Sequence, residues 1–110
     1  MLSSSSAHAE APALFLWGKV LRVDLHTCLE MARSATALAG VNLDPVHDTP
    51  IGIAGTTPTT RVFTVCVQRP RDGICGGEGT TPFATAAGND GLALVQKIIA
   101  NMIPPKLSCL

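Results

Sequence analysis

The chain has 110 residues, enough for one domain and too few for a second independent core. Hydrophobic residues make up 46% of it and charged residues 15%, a globular composition that excludes a disordered chain. Eight basic residues balance eight acidic ones, with one Trp and no Tyr. That argues against nucleic acid as a partner, which needs a basic stripe for phosphates and aromatic platforms for bases.

Residues 1–12 read as a leader. "SSSSAHAEAPA" contains Ala7-His8-Ala9 before Glu10, the small-x-small form of a signal-peptidase site. The charged and apolar regions of a complete signal do not precede it. Two readings stand: a remnant of an export signal, and an ordinary flexible Ser/Ala tail. The later "ALFLWGKVL" is far short of the roughly 20 apolar residues of a membrane helix, so no membrane span is expected. The terminal "SCL" sets Cys109 too near the C-terminus for prenylation. Residues 13–105 are expected to form a single domain, followed by a tail over 106–110.

Along the chain, "LFLWGKVLRVDL" is rich in β-formers and predicts a strand over 15–24. Thr27, with Glu30 three residues later, offers a capping box for a helix in "HTCLEMARSATALAG". Cys28, Ala32, Ala35 and Ala39 recur at helical spacing, with Met31 and Leu38 beside them. This small-residue face lets the helix sit close to a sheet, and Gly40 is placed to end it in a left-handed C′ position. Residues 41–60 carry turn signals at Asp44-Pro45, Asp48 and Pro50, with a short strand in "PIGIAG".

"RVFTVCVQ" is the clearest strand; "RPRDGICGGEGTTP" reads as a loop and "FATAAG" as the partner strand. "GTTPTT" and "GTTPFAT" each read as a turn leading into a strand. Asn89 or Asp90 caps a second helix with Leu92, Val95, Ile98, Ile99 and Met102 inward, stopped by Pro104-Pro105. The fold class is α+β: a small antiparallel sheet with two helices on one face, in the order β-α-β-β-α.

In "RVFTVCVQ" one parity gives Phe63, Val65 and Val67, and the other Val62, Thr64 and Cys66. Neither is polar, whereas a sheet face left in water normally alternates cleanly. The second face is therefore expected to be covered, by the segment around Leu14–Trp17 or by another copy of the chain. A homodimer through the open face is the preferred version.

Four cysteines, Cys28, Cys66, Cys75 and Cys109, allow three full pairings. An even count in a small chain with an export-like leader favours disulfides. We expect Cys28–Cys66, because the helix must fold back onto the central strand. Were Phe63, Val65 and Val67 to face the helices, Cys66 would point away and the pairing would need a β-bulge or a frayed strand end. Cys75 and Cys109 pair with each other or stay free.

Sharper chemistries fit less well. Cys28 at a helix start, near His26, sketches a thiol nucleophile, but no C-x-x-C motif is present. His26-x-Cys28 with Cys66 and Cys75 lacks the paired spacings of structural zinc, and His8 and His47 read as solvated. "DGICGGEGTTP" has neither the Lys-Ser/Thr nor the following helix of a phosphate loop, and carries Glu78. No carboxylate pair or nucleophile elbow stands out. The expectation is a protein that is not an enzyme, with no catalytic residue, metal or cofactor.

The pattern from Trp17 to Met102, carried by "HTCLEMARSATALAG", "VFTVCVQ" and "GNDGLALVQKIIANM", resembles small exported bacterial β-α-β-β-α proteins of an uncharacterised family. The chain departs from them in its incomplete signal and two additional cysteines. The resemblance implies a periplasmic or secreted α+β domain with no established activity, and carries over no functional residue. Two classes remain: a disulfide-stapled binding or structural domain outside the cytoplasm, and a cytoplasmic thiol-redox or metal-binding protein using Cys28 and His26. The first is preferred, and the sequence names no ligand.

Overall fold

The computed structural model describes residues 13–71 and 76–104. Among them, five strands form one antiparallel sheet: β1 (Leu14–Gly18), β2 (Asn42–Leu43), β3 (Gly52–Thr56), β4 (Thr60–Arg69) and β5 (Gly79–Gly88). Their spatial order is β1-β5-β4-β3-β2. Helices α1 (Leu25–Leu38) and α2 (Gly91–Ala100) pack on one face of this sheet, as expected of the α+β class. Two short strands, β2 and β3, lie between α1 and β4, linked by a 3-10 turn at Pro45–His47.

The strand expected over 15–24 is shorter. β1 ends at Gly18, and pairing with β5 resumes only at an isolated Leu21–Thr80 bridge. Pro82 supplies the reason. Its carbonyl accepts from the Lys19 N–H at 3.3 Å, but proline has no N–H to return, so the ladder lapses there.

Helix α1 is capped by Asp24, not by Thr27. The Asp24 carboxylate accepts from the Thr27 N–H at 2.9 Å, and the Leu25 N–H donates to Glu78 Oε1 at 2.9 Å. With a carboxylate two residues upstream of His26, the helix starts earlier and Thr27 falls inside its first turn. Glu30 pairs with His26 at 3.4 Å and closes no capping box. The other end is as expected: Gly40 has φ +85°, its N–H reaches the Ala37 carbonyl at 3.0 Å, and the Val41 N–H reaches Thr36 at 3.3 Å. These two bonds make a Schellman motif.

In α2 the buried stripe is Gly91, Leu94, Val95, Ile98 and Ile99, continued by Met102, while Leu92 is 44% exposed. Spacings of three and four counted from Gly91 exclude position 92. Gly91 sets that phase, because a Cβ there would stand 2.5 Å from the Phe15 ring. Asp90 occupies the cap position without capping. Its carboxylate accepts from the Thr60 hydroxyl, and from that of Thr59 at 3.4 Å, which ties the start of α2 to β4.

Of the two parities open to the central strands, the structure takes the one that turns Cys66 toward the helices. Val62, Thr64 and Cys66 on β4, with Pro82, Ala84 and Ala86 on β5, are buried beneath the helices. Phe63, Val65 and Val67 face the other way. Size accounts for this: α1 buries Cys28, Ala32, Ala35 and Thr36, and such a shallow face approaches a sheet only where the sheet is shallow too. Of the two Gly-Thr-Thr-Pro stretches, the first makes the β3–β4 turn, with the Thr57 N–H bonded to the Thr60 carbonyl at 2.8 Å. The second lies within β5 from its first residue.

Candidate functional site

Cys28 and Cys66 are joined by a disulfide, with Cα atoms 6.3 Å apart and both residues fully buried. No bulge is needed. The register Val65–Phe83, Cys66–Pro82, Val67–Thr81 is unbroken, and the helices simply lie on the face to which Cys66 points. Cys75 and Cys109, the possible second pair, lie outside the described residues.

His26 is not brought to Cys28: its side chain is 80% exposed beside Glu30, while the Cys28 sulfur is bonded within the core. His47 pairs with Asp44 at 2.7 Å, and His8 lies outside the described residues. Among the described residues, no three of His, Cys, Asp and Glu gather as metal ligands.

A polar clamp at one end of the sheet positions the disulfide. Arg69 Nη2 donates to the Leu21 carbonyl at 2.6 Å and the Thr80 carbonyl at 3.1 Å, and the Thr80 hydroxyl donates to the Val23 carbonyl at 3.1 Å. Glu78 accepts from the Gln68 amide as well as from Leu25 at the start of α1. These bonds hold the β1–α1 connection against the β4–β5 hairpin, so the first turns of α1 begin over Cys66. Thr27, through its side chain first and then its backbone N–H, holds the Asp24 carboxyl below the ordinary carboxylate range. The clamp was not foreseen, because its partners lie 48 to 57 residues apart for Leu21, Val23 and Leu25.

The sheet face away from the helices is the larger feature. It presents Phe63, Val65 and Val67 from β4, Phe83, Thr85 and Ala87 from β5, and Leu14 and Leu16 from β1. Two glycines make room for its aromatic rings: a Cβ at Gly52 would stand 2.4 Å from the Phe63 ring, and one at Gly18 would stand 2.6 Å from Phe83. Each ring thus lies over a neighbouring strand instead of standing off the sheet. The Thr85 hydroxyl donates to the Phe63 carbonyl at 2.9 Å, so the polar end of this side chain is spent within the sheet. A shallow hollow of about 180 Å³ opens between Leu14, Phe63, Thr85 and Ala87, with Arg61 at its rim.

The segment around Leu14–Trp17 does not cover this face. It is strand β1, hydrogen-bonded beside β5, and it widens the face, with Leu14 75% and Leu16 59% exposed. The apolar character of the face was readable from β4 alone. The turned-in hydroxyl and the glycine-seated rings depend on register and were not.

Fold and site together define a small α+β domain stapled by a buried disulfide, with one sheet face covered by helices and the other left open by the described residues. Comparison with protein-family models, with curated proteins and with solved structures found no match to this chain. Among the described residues, no helix is long and apolar enough to cross a membrane.

Proposed function

We propose that the protein is a non-enzymatic binding or structural domain that works outside the cytoplasm as a homodimer joined through the open sheet face. The observation that carries this reading is the composition of that face. Its centre is Phe63, Val65 and Phe83, and its central threonine bonds inward. An antiparallel sheet with one wet face normally shows polar residues there, and contiguous exposed apolar surface marks an interaction site. The buried Cys28–Cys66 bond supports a periplasmic or secreted location, since disulfides persist in oxidising compartments.

The test is sedimentation of the full chain over rising concentration, beside Val65→Asp. A charge at the centre of a dimer face should abolish face-to-face association and leave the fold intact, because Val65 faces away from the helix side of the sheet. A Val65→Asp protein that associates as strongly as the parent would overturn the reading. Alkylation followed by intact mass tests the compartment argument. Protein recovered from cells with Cys28 free and rapidly labelled would instead support a cytoplasmic thiol protein.

A further inference from the structure

The two edges of the sheet are built differently. β2 is two residues long and runs through Asp44 into Pro45, and short strands and prolines keep an edge from pairing. β1 is a five-residue run, Leu-Phe-Leu-Trp-Gly, without charge or proline, and among the described residues its one partner in the sheet is β5.

Its hydrogen bonding has a definite parity. The Ala13 carbonyl accepts from the Gly88 N–H at 3.2 Å, the Lys19 N–H donates to the Pro82 carbonyl at 3.3 Å, and Leu21 and Thr80 exchange bonds of 2.8 and 2.9 Å. All three pairs share the register in which Phe15 faces Ala86 and Trp17 faces Ala84. Odd positions therefore turn their backbone groups to β5. Alternation along an antiparallel strand then turns the N–H and C=O of Leu14, Leu16 and Gly18 toward the free edge.

We propose that this edge pairs with the same edge of a second copy, β1 antiparallel to β1, about a two-fold axis at Leu16. The row of outward groups is complementary to itself. Leu16 exchanges both bonds with Leu16 of the second copy, and Leu14 does so with Gly18, as an isologous contact requires. On the open face the two Leu16 side chains meet. On the helix side Phe15 falls opposite Trp17, an aromatic cross-strand pair, and Trp17 is 45% exposed in the single chain.

Charge does not oppose this register, since Lys19 falls opposite Ala13 and not opposite another lysine. A five-residue strand pair buries less than the roughly 1,200–2,000 Å² of a stable interface, so the contact is weak and concentration-dependent. It leaves the open faces side by side, so it is compatible with face-to-face pairing and does not rest on it.

The experiment is sedimentation of the full disulfide-bonded chain over a concentration series, with Trp17 emission read on the same samples. Leu16→Pro removes an outward N–H without removing a bond to β5, and Leu16→Ala removes the same side chain while keeping that N–H. Edge pairing predicts a blue shift of Trp17 emission with concentration in the parent protein. It also predicts association weakened less than about tenfold by Leu16→Ala and more than about a hundredfold by Leu16→Pro, with the Trp17 shift lost in the latter.

Equal association of the two Leu16 variants, or parent association with no change in Trp17 emission, would overturn edge pairing. Should Leu16→Pro fail to fold, the Trp17 shift of the parent still decides. Val65→Asp separates the two readings: a retained Trp17 shift supports the edge, and association as strong as the parent's rejects the face. Association that Val65→Asp abolishes, with a silent Trp17 in the parent, supports the face and rejects the edge. A parent protein that stays monomeric throughout rejects both.

Discussion

The two faces of the sheet are both apolar, yet they are apolar in different ways. The helix side is made mostly of small residues, with Thr64, Cys66, Thr80, Ala84 and Ala86 around Val62. On β4 and β5 the open side carries the larger side chains, Phe63 and Phe83, with Val65 and Val67. Hydrophobicity alone would put Phe63 and Phe83 under the helices. What decides the matter is fit: α1 offers Cys28, Ala32, Ala35 and Thr36, and a helix with so shallow a face needs a shallow sheet to close against.

The largest way to break the covered side is to cut the bond at its centre. The disulfide closes a loop of sequence separation 38, and the chain-entropy model assigns such a loop a stabilisation of about 4 kcal/mol. Cys28→Ala combined with Cys66→Ala should lower the unfolding free energy by up to about 4 kcal/mol in a urea titration. A loss under about 1 kcal/mol would show that the small-residue seam closes without its staple.

The next test compares the faces directly with the same substitution. Ala32→Leu forces extra carbons into the closed seam between α1 and the sheet and should cost about 1–3 kcal/mol. Ala87→Leu adds the same bulk to the open face and should stay within about 0.5 kcal/mol for a single chain. Thermal unfolding at low protein concentration reads both. Equal costs would mean that the open side is as tightly closed as the helix side.

These contrasts also explain how much was legible in the sequence. Elements with a strong local signal were readable: β4 from its run of β-formers, α1 from its spaced alanines, and the left-handed Gly40 at its end. The cysteine pair was readable because a helix following a strand must fold back over the sheet. The faces were not, since Val62 and Phe63 are equally good strand residues and differ only in what they meet across the sheet. Leu92 was misplaced for a related reason. The phase of α2 is set by Gly91 against Phe15, a contact between residues 76 positions apart in the chain. The cap was misassigned because Asp24 sits within a β-rich run that reads as strand.

That cap gives a smaller prediction. Asp24→Ala should cost about 1 kcal/mol at neutral pH, the usual loss of an N-cap side chain. Because Thr27 holds the Asp24 carboxyl below its ordinary value, its contribution is full above the unfolded-state value of about 3.9 and is lost as pH falls through the folded one. Wild-type and Asp24→Ala stabilities should therefore converge in acid, below about pH 4. Asp90, whose carboxyl is lowered chiefly by the Thr60 hydroxyl, acts in the same direction, so Asp24→Ala should retain part of the acid sensitivity. A gap between the two proteins that stays constant down to pH 2 would assign the cap effect to helix propensity instead.

The smallest effect runs the other way. Thr64 is fully buried on the helix side of β4, opposite Ile53 and Ala84, and its hydroxyl has no hydrogen-bond partner among the described residues. A buried hydroxyl without a partner costs desolvation free energy that nothing returns, whereas a methyl in its place gains the contacts of the surrounding core. Thr64→Val keeps the β-branched shape that a strand favours. It should raise stability by about 0.5 kcal/mol, seen as a small increase in urea midpoint at unchanged slope. Thr85→Val supplies the counterpart on the open face. There the hydroxyl is bonded to the Phe63 carbonyl, and its removal should cost about 1 kcal/mol. Opposite signs for one substitution on the two faces would show that hydroxyl bonding, and not strand propensity, separates them. A destabilised Thr64→Val would mean that the Thr64 hydroxyl finds a partner, such as a buried water, in solution.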